Sequence, residues 1–172
     1  FLVDNGIKTV TILGGEKAIS KEVEAALADY KVERIYGDTR EGTAIAIGEE
    51  LRKTAEKKIA IVVNRDGYAD ALSVSAPAAI NGYPILFTDV DGLREETLKA
   101  LEDWDIEKVF IVGGVNVVNP AVMTKLEGLG LEVDRIAGTG TKTSRFFTAL
   151  AVAKEFYPNP DGVVLATAYN FA

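Results

Sequence analysis

The sequence contains no cysteine and no histidine. Without cysteine, the chain cannot form disulfides, thiolate nucleophiles, iron–sulfur clusters or cysteine-ligated zinc sites. Without histidine, it cannot contain a Ser-His-Asp triad, a histidine-ligated zinc site or an imidazole acid–base catalyst. A catalyst built from this chain would have to rely on carboxylates, lysine or tyrosine.

Long apolar runs are also missing. None approaches the roughly 18–20 residues that a membrane-spanning helix needs, so we expect no membrane span. The sequence begins with Phe1, and no signal peptide is visible. We therefore expect the chain to be an excised or processed piece of a longer protein.

Positive charge is in the minority. The 172 residues include 19 Lys and Arg against 26 Asp and Glu, which gives a net charge of −7. This sign disfavours non-specific binding to nucleic acid or to an anionic membrane. Hydrophobic residues make up 48% of the chain and charged residues 26%, a composition typical of globular domains and not of disordered segments.

What the sequence does contain is an alternation of short apolar runs with helical patterns. Several runs are continuously β-branched, as at Ile59–Val63, which is typical of strands buried on both faces of a parallel sheet. We predict strands at Thr9–Leu13, Val32–Tyr36, Ile59–Val63, Pro84–Thr88, Lys108–Val112, Glu132–Ala137 and Val163–Thr167. Helices are predicted at about Lys21–Asp29, Glu41–Thr54, Tyr68–Asn81, Arg94–Asp103, Pro120–Leu126 and Ser144–Phe156. The alternation predicts an α/β fold with a parallel sheet and right-handed crossovers.

An internal repeat organises the chain. The segment IKTVTILGG begins at Ile7 and the similar IEKVFIVGG at Ile106, a spacing of 99 residues. An R-x-x-T-A pattern occurs at Arg40 and again at Arg145. We therefore divide the chain into the second half of one repeat (1–33), one complete repeat (34–133) and the first half of another (134–172).

The two half-repeats are complementary in order. The segment VVNRDGYA at Val62–Ala69 is matched by LATAYNFA at Leu165–Ala172, 103 residues later. Half-repeats at both ends would expose apolar faces unless something covers them. We predict either that the two halves pair within the chain as a second pseudo-module or that the chain self-associates.

Two glycine pairs follow apolar strands and precede helices: Gly14-Gly15 and Gly113-Gly114. Glycines at such a position can let backbone N–H groups approach an anion, or they can simply make a tight strand-to-helix turn. Neither pair lies in a G-x-G-x-x-G or P-loop pattern. The sequence therefore favours structural turns and predicts no cofactor.

Arg40 and Arg145 precede predicted helices, each with a threonine three positions later. A guanidinium group there could clamp a carboxylate or a phosphate. The alternative is a structural ion pair, and for Arg40 the partner would be Asp70, at the start of another helix. The acidic residues that follow strand ends show no metal-ligand spacing, so no metal site is predicted.

Taken together, these motifs resemble the cell wall binding repeat 2 family. The family's R-I-x-G-x-x-R-x-x-T-A pattern, its Y-A-D-A-L-S segment, its P-I-L strand and its glycine-paired strand occur in that order at Arg34–Ala44, Tyr68–Ser73, Pro84–Leu86 and Ile111–Gly114. The resemblance covers essentially the whole chain. There are departures: Thr39 is an extra residue before Arg40, and Gly42 stands where the family usually has Glu.

The resemblance implies a three-layer, Rossmann-like or flavodoxin-like parallel sheet built from tandem repeats of about 100 residues. It also implies a non-catalytic module that anchors a secreted surface protein to an anionic cell-wall polymer, either a polysaccharide or a teichoic-acid-like one. The expected location is extracellular, at the cell wall or cell surface, with neighbouring repeats of the same chain as further partners. By analogy with the family and from the motifs above, the candidate polymer-binding residues are Arg40, Thr43, Asp70, Ser73, Pro84, Ile85, Leu86 and Arg145.

Two other functions stay open. A structural surface-layer repeat would bind no small ligand, and it predicts a buried Arg40–Asp70 bridge and no accessible cleft. A Rossmann-type nucleotide-binding domain or enzyme would need a better glycine-rich phosphate loop. An acidic chain that binds an anionic polymer needs a local basic spot, for which Arg40, Arg65 and Arg145 are the candidates; contacts through backbone N–H groups at helix N-termini are the alternative.

Overall fold

The structure is a computed structural model that describes residues 1–139 and 145–166. In this part of the chain, strands and helices alternate. They are β1 (Thr9–Leu13), α1 (Lys21–Ala25), β2 (Lys31–Ile35), α2 (Arg40–Arg52), β3 (Ile59–Asn64), α3 (Tyr68–Asn81), β4 (Ile85–Thr88), α4 (Glu95–Asp103), β5 (Lys108–Val112), α5 (Pro120–Gly128), β6 (Glu132–Ile136) and α6 (Arg145–Phe156). Within the described ranges, no helix is long and apolar enough to cross a membrane.

The strands form two sheets. Four of them make a parallel sheet in the order β4-β3-β5-β6, and β1 and β2 make a separate parallel pair. Parallel neighbours need crossover connections, which the intervening helices supply. The predicted α/β class with a parallel sheet is confirmed.

Both faces of the larger sheet are buried, because consecutive residues of its central strands enter different cores. Val62 of β3 packs with Ile111 and with Leu126 of α5 in one apolar cluster, to which α4 also contributes. Val63, the next residue of β3, packs with Phe110 and with Val152 of α6 in the other cluster, to which α3 contributes. The helices therefore cover the sheet from both sides and give the predicted three layers.

The small sheet has the same local structure as the β5–β6 part of the large sheet. The N–H group of Gly14 donates to the Ile35 carbonyl at 2.9 Å, and that of Gly113 donates to the Ile136 carbonyl at 3.0 Å. The guanidinium of Arg34 donates to the Gly14 carbonyl at 2.8 Å, as that of Arg135 does to the Gly113 carbonyl. The segments β1–α1–β2 and β5–α5–β6 therefore share their local structure as well as their sequence pattern.

Helix α2 joins the small sheet to the large one. It contacts β2 on one side and both β4 and α4 on the other. The close approach to α4 depends on Gly48, because a Cβ at that position would lie 2.4 Å from the Trp104 ring. Arg52, one turn later, donates to the Trp104 carbonyl at 2.8 Å.

The prediction of a strand at Val163–Thr167 is wrong for the residues that the structure describes. Residues 163–166 form no strand, and Val163, Val164 and Leu165 are 75%, 94% and 92% exposed. Thr167 lies outside the described residues. A β-strand needs a neighbour with which to hydrogen-bond, and none lies beside this segment in the described part of the chain.

The predicted pairing of the two half-repeats within one chain is likewise not formed in the described residues. The small sheet is joined through α2 to β4, one edge strand of the large sheet. Helix α6, which leads to residue 163, packs on α3 and on β6, the other edge strand. The two half-repeats are therefore held at different edges of the same sheet.

Most helix boundaries lie within two residues of the prediction, and the largest difference is at the end of α1. Helix α1 ends at Ala25 and not near Asp29, because the residues that follow bond to carbonyls three positions back. The N–H groups of Leu27 and Tyr30 donate to Glu24 and Leu27 at 3.0 and 2.9 Å. Such tighter turns are common where a helix ends.

The contact at Gly48 leads to a prediction about stability. Alanine is the better helix former by about 1 kcal/mol, but the added methyl group would collide with the Trp104 ring. We expect Gly48→Ala to lower the free energy of unfolding by about 1–3 kcal/mol, as overpacking does. Urea denaturation followed by circular dichroism measures this change.

Gly128→Ala is the matched control, because Gly128 is also helical and nothing lies within 4 Å of its added methyl group. It should leave the urea midpoint unchanged or raise it slightly. Equal effects of the two substitutions would show that α2 does not depend on a close approach to Trp104.

Candidate functional site

A cleft of about 1070 Å³ opens between the small sheet and the large one. Its walls come from the turns that follow β1 and β2, from α2, and from the α3 and β4 side of the large sheet. The residues that line it include Gly14, Gly15, Tyr36, Arg40, Thr43, Ala44, Ile47, Ala71, Ser75, Tyr83, Pro84, Ile85 and Phe87. Most of these are apolar or small, and the charged side chains lie near the glycine turn and the start of α2.

Arg40 is the first residue of α2 and stands at this cleft. The side chain of Thr39 caps the helix by accepting a hydrogen bond from the Gly42 N–H group at 2.9 Å. The Arg40 guanidinium lies 3.1 Å from Asp66, with side-chain exposures of 65% and 72% for the two residues. An ion pair this exposed contributes little to stability, so the guanidinium can exchange Asp66 for another anion at small cost.

Thr43 lines the cleft one turn further along α2, but its hydroxyl is already engaged. It accepts a hydrogen bond from the Gly37 N–H group at 3.1 Å and lies 3.4 Å from the Gly37 carbonyl. The chain approaches α2 so closely here that a Cβ on Gly37 would lie 2.4 Å from the Gly42 backbone. Thr43 therefore holds the β2–α2 turn in place at the cleft.

The P-I-L strand contributes to the cleft on one face only. Ile85 and Phe87 line the cleft and are partly buried, whereas Leu86 between them is fully buried in the opposite core. This follows from the two-residue period of a β-strand. Pro84, just before β4, is buried and also lines the cleft.

Asp70 lies elsewhere, near the start of α3. It is 7% exposed and faces the glycine turn after β5, where a Cβ on Gly113 would lie 3.0 Å from the Asp70 Oδ2. Burial raises the pKa of Asp70, and the nearby positive charge of Arg145 opposes that rise. Arg145 also stands 5.8 Å from the centre of the Tyr68 ring. The Arg40–Asp70 ion pair that the sequence left open as an alternative is therefore not formed: Asp66 is the partner of Arg40, and Arg145 is the cation near Asp70.

The structure separates the candidate residues into two groups. Arg40, Thr43, Pro84 and Ile85 meet at the cleft, together with the Gly14-Gly15 turn. Asp70 and Arg145 meet at the Gly113 turn, beside α3. The two other candidates are not at the cleft: Ser73 donates to the Asp70 carbonyl at 2.8 Å within α3, and Leu86 is in the core.

The glycine pairs act as turns in the structure. Gly14 and Gly113 have φ angles of 119° and 132°, which few other residues adopt. The carbonyls of Gly15 and Gly114 each accept two hydrogen bonds from the residues three and four positions ahead. Helices α1 and α5 begin only at Lys21 and Pro120, six residues after each pair.

A buried ion-pair cluster beside the cleft was missed by the sequence reasoning. Glu41, next to Arg40, is 1% exposed, and its Oε1 lies 2.8 Å from Arg65 and 3.2 Å from Arg94. Arg65 also lies 3.5 Å from Asp89. The cluster connects α2 to the ends of β3 and β4, and no spacing in the sequence indicates that Glu41 is buried. It also removes Arg65 from the candidate basic spots, because Arg65 already neutralises Glu41.

The charges at the cleft are balanced. Lys17 and Arg40 supply two cations, and Glu16 and Asp38 supply two carboxylates. In the described ranges, no three acidic side chains lie close enough together to hold a metal ion. An anion that enters the cleft would therefore meet individual cationic side chains and not a broad positive surface.

Comparison with known proteins gives a family match. The family described as Cell wall binding domain 2 (CWB2) matches residues 34–123. N-acetylmuramoyl-L-alanine amidase LytC from Bacillus subtilis (strain 168) is 36% identical over 143 residues, which are 83% of this chain and 28% of that protein. Amidase enhancer from the same organism is 31% identical over 165 residues, which are 95% of this chain and 21% of that protein. The chain thus spans less than a third of the length of either relative.

Two solved structures share the fold. Cwp8 from Clostridium difficile is similar with a TM-score of 0.73 and 37% identity over 87% of this chain and 24% of that one. Cwp6 from Clostridium difficile is similar with a TM-score of 0.76 and 24% identity over 88% of this chain and 24% of that one. Both likenesses agree with the α/β architecture described above.

The buried cluster leads to a second stability prediction. Glu41→Ala removes the main counter-charge of a largely buried Arg65, and we expect a loss on the order of 3 kcal/mol in the free energy of unfolding. Glu49→Ala is the matched control, because Glu49 is exposed on the same helix, and it should change stability by less than about 0.5 kcal/mol. Similar effects in urea denaturation would show that the cluster does not hold α2.

The raised pKa of Asp70 predicts a pH dependence. A carboxyl whose pKa is higher in the folded state costs stability once it ionises, so the cost grows as pH rises through that pKa. Asp70→Asn removes this cost, and we expect the stability of the variant relative to the parent to be higher at pH 7 than at pH 3.5. Urea midpoints of both proteins at the two pH values test this. A variant relatively weaker at pH 7 would show that attraction to Arg145 outweighs burial.

Proposed function

This chain belongs to the cell wall binding domain 2 family, and we propose that it is a non-catalytic module that binds an anionic cell-wall polymer. In this proposal it anchors a secreted surface protein outside the cell, at the wall. The observation that carries the proposal is the open cleft, where an accessible guanidinium stands beside an apolar floor.

The chemistry of the cleft suits a charged polysaccharide or a teichoic-acid-like polymer. Ile85 and Phe87 present apolar surface, and the ring of Tyr36, which is 53% exposed, can stack against a sugar. Arg40 can bind a carboxylate or phosphate group through two parallel hydrogen bonds. The space of about 1070 Å³ admits several units of a polymer and not only one small molecule.

The structural-repeat alternative is less well supported. It requires a buried Arg40–Asp70 bridge and no accessible cleft, whereas Arg40 lies on the surface with Asp66 and the cleft is open. The geometry therefore favours a module that binds a ligand.

The nucleotide-binding alternative is also less well supported. A dinucleotide site places the phosphates where a glycine turn runs directly into a helix. Here five residues separate each glycine pair from its helix, and α1 has only five residues. The absence of histidine and cysteine from the sequence likewise favours binding over catalysis.

The first experiment is a sedimentation assay with purified cell walls, before and after chemical removal of their anionic polymers. We expect the chain to bind intact walls and to lose that binding after the removal. Equal binding to both preparations would contradict recognition of an anionic polymer.

The site is tested with Arg40→Ala in the same assay. Loss of a charge-assisted hydrogen bond worth about 1.5–3 kcal/mol should weaken binding by roughly ten- to a hundredfold. Lys125→Ala makes the same change in net charge on the exposed face of α5, away from the cleft, and should bind as the parent does. Equal binding by the two variants would show that the polymer does not contact Arg40.

A further inference from the structure

A second groove, which we call the α4 groove, lies on the face of the large sheet opposite to α3 and α6. Its volume is about 650 Å³. It runs between α4 and the turn that connects α5 to β6. Five apolar side chains line it, two of them buried as a floor and three partly or largely exposed as walls: Leu101, Ile106, Leu98, Leu131 and Leu129.

Neither flanking half-repeat lines the α4 groove in the described part of the chain. Helix α2 meets α4 at Glu96, which accepts a hydrogen bond from Thr39, and at Trp104, which packs against Gly48. Helix α6 packs on α3 and β6 and belongs to the other apolar core. The residues that line the groove all lie between positions 95 and 131, so one complete repeat forms it alone.

The turn that carries Leu129 has a fixed backbone. Gly130 has a φ of 85°, and its N–H group donates to the Glu127 carbonyl at 2.9 Å. The Leu131 N–H group donates to the Leu126 carbonyl at 3.4 Å. These are the two hydrogen bonds of a Schellman motif, which ends a helix with a left-handed glycine. Leu129 is 58% exposed on this turn, so the backbone holds an apolar side chain in solvent beside the groove.

The connection that contains Leu129 is also longer than its counterpart in the preceding half-repeat. β6 begins 12 residues after the first residue of α5, whereas β2 begins 10 residues after the first residue of α1. The strands that follow pair in the same register in both cases. The sheet therefore does not require the extra length, which ends in the turn that presents the exposed leucine.

The rim of the α4 groove is acidic. Glu95, Glu102 and Asp105 line it together with one cation, Lys99. Lys99 and Asp105 each form an ion pair with a side chain outside the lining, at 2.5 and 2.6 Å. Glu95 and Glu102 are exposed and form no ion pair within the described ranges. Two carboxylates beside the apolar walls are therefore available to the cations of a partner.

We propose that the α4 groove binds a basic amphipathic helix of another protein. Glu95 and Glu102 stand two turns apart on α4, about 11 Å at 1.5 Å per residue, so a docked helix of similar length spans both. Apolar side chains on one face of that helix pack against the leucine walls, and Lys or Arg side chains beside them meet the two carboxylates. An acidic helix would be repelled.

The lining favours a helix over an extended segment. None of the residues that line the groove belongs to a strand. The groove therefore offers a partner side chains and not a sheet edge, and side-chain grooves are the usual docking sites of amphipathic helices. This contact is separate from the cleft between the two sheets.

A short fluorescein-labelled peptide of leucine and lysine, with leucines three and four residues apart, serves as the probe. Fluorescence anisotropy at low salt, where surface charges are least screened, measures its binding to the chain. We expect the lysine peptide to bind and the same peptide with glutamate in place of lysine not to bind. Equal binding of the two peptides, or no binding of the lysine peptide, would overturn the proposal.

Leu129→Lys places the contact in the groove. It removes an apolar wall and adds a positive charge there, so we expect the affinity for the lysine peptide to fall roughly tenfold or more. Leu72→Lys is the matched control, because Leu72 is 61% exposed on α3, at the other face of the sheet, and the change in charge is the same. Equal weakening by the two substitutions would show that the peptide responds to net charge and not to this groove.

Sedimentation of the chain without peptide separates this occupant from a second copy of the chain. We expect the α4 groove to be empty in the chain alone, so that Leu129→Lys does not change the mass in solution. Self-association of the parent chain that Leu129→Lys abolishes and Leu72→Lys does not would assign the groove to a second copy and contradict the inference.

Discussion

Burial of β3 on both of its faces is the constraint on which the rest of the structure depends. Ala60 through Val63 have no exposed surface, and successive side chains enter two different cores. A strand of this kind requires a parallel partner on each edge and helices above and below. The crossovers then bring the carboxyl ends of the strands to one edge, where an open α/β sheet places its ligands. The cleft lies instead along the edge strand β4 and beside α3, and only the turns after β1 and β2 bring strand carboxyl ends to it.

Helix α2 forms one wall of the cleft and positions Arg40 there. Gly48 lets the helix lie against Trp104, and the Glu41 cluster ties its first turn to the ends of β3 and β4. A charge buried between two guanidinium groups is costly to separate, which makes it an effective way to hold one helix turn in position. Arg40 is next in sequence to Glu41, so the buried cluster holds the exposed cation at the cleft. Glu41 is buried and fixed, whereas Arg40 beside it is exposed.

Much of this fold could be predicted from the sequence. Continuous β-branched runs such as Ile59–Val63 are typical of strands that are buried on both faces. The interpretation of the glycine pairs as turns agrees with the positive φ angles of Gly14 and Gly113. The choice between Asp66 and Asp70 as the partner of Arg40 could not be predicted, since both stand near the start of α3 and only the packing against Gly113 buries one of them. The burial of Glu41 could not be predicted either, because it depends on Arg65 and Arg94, which are distant in sequence. The strand predicted at 163 failed because a strand is defined by its neighbour and not by its own residues.

The cleft has walls from two sheets that one helix connects, and this arrangement has a mechanical consequence. A polymer lying in it would touch both the turn after β1 and the strand β4. Ligand binding to such a folded arrangement stabilises it by a free energy that grows with the logarithm of the ligand concentration relative to Kd. Tension applied along the chain would then have to separate the sheets and release the ligand together. A module that binds a polymer in this way would resist forced separation of its two sheets more strongly with the polymer bound than without it.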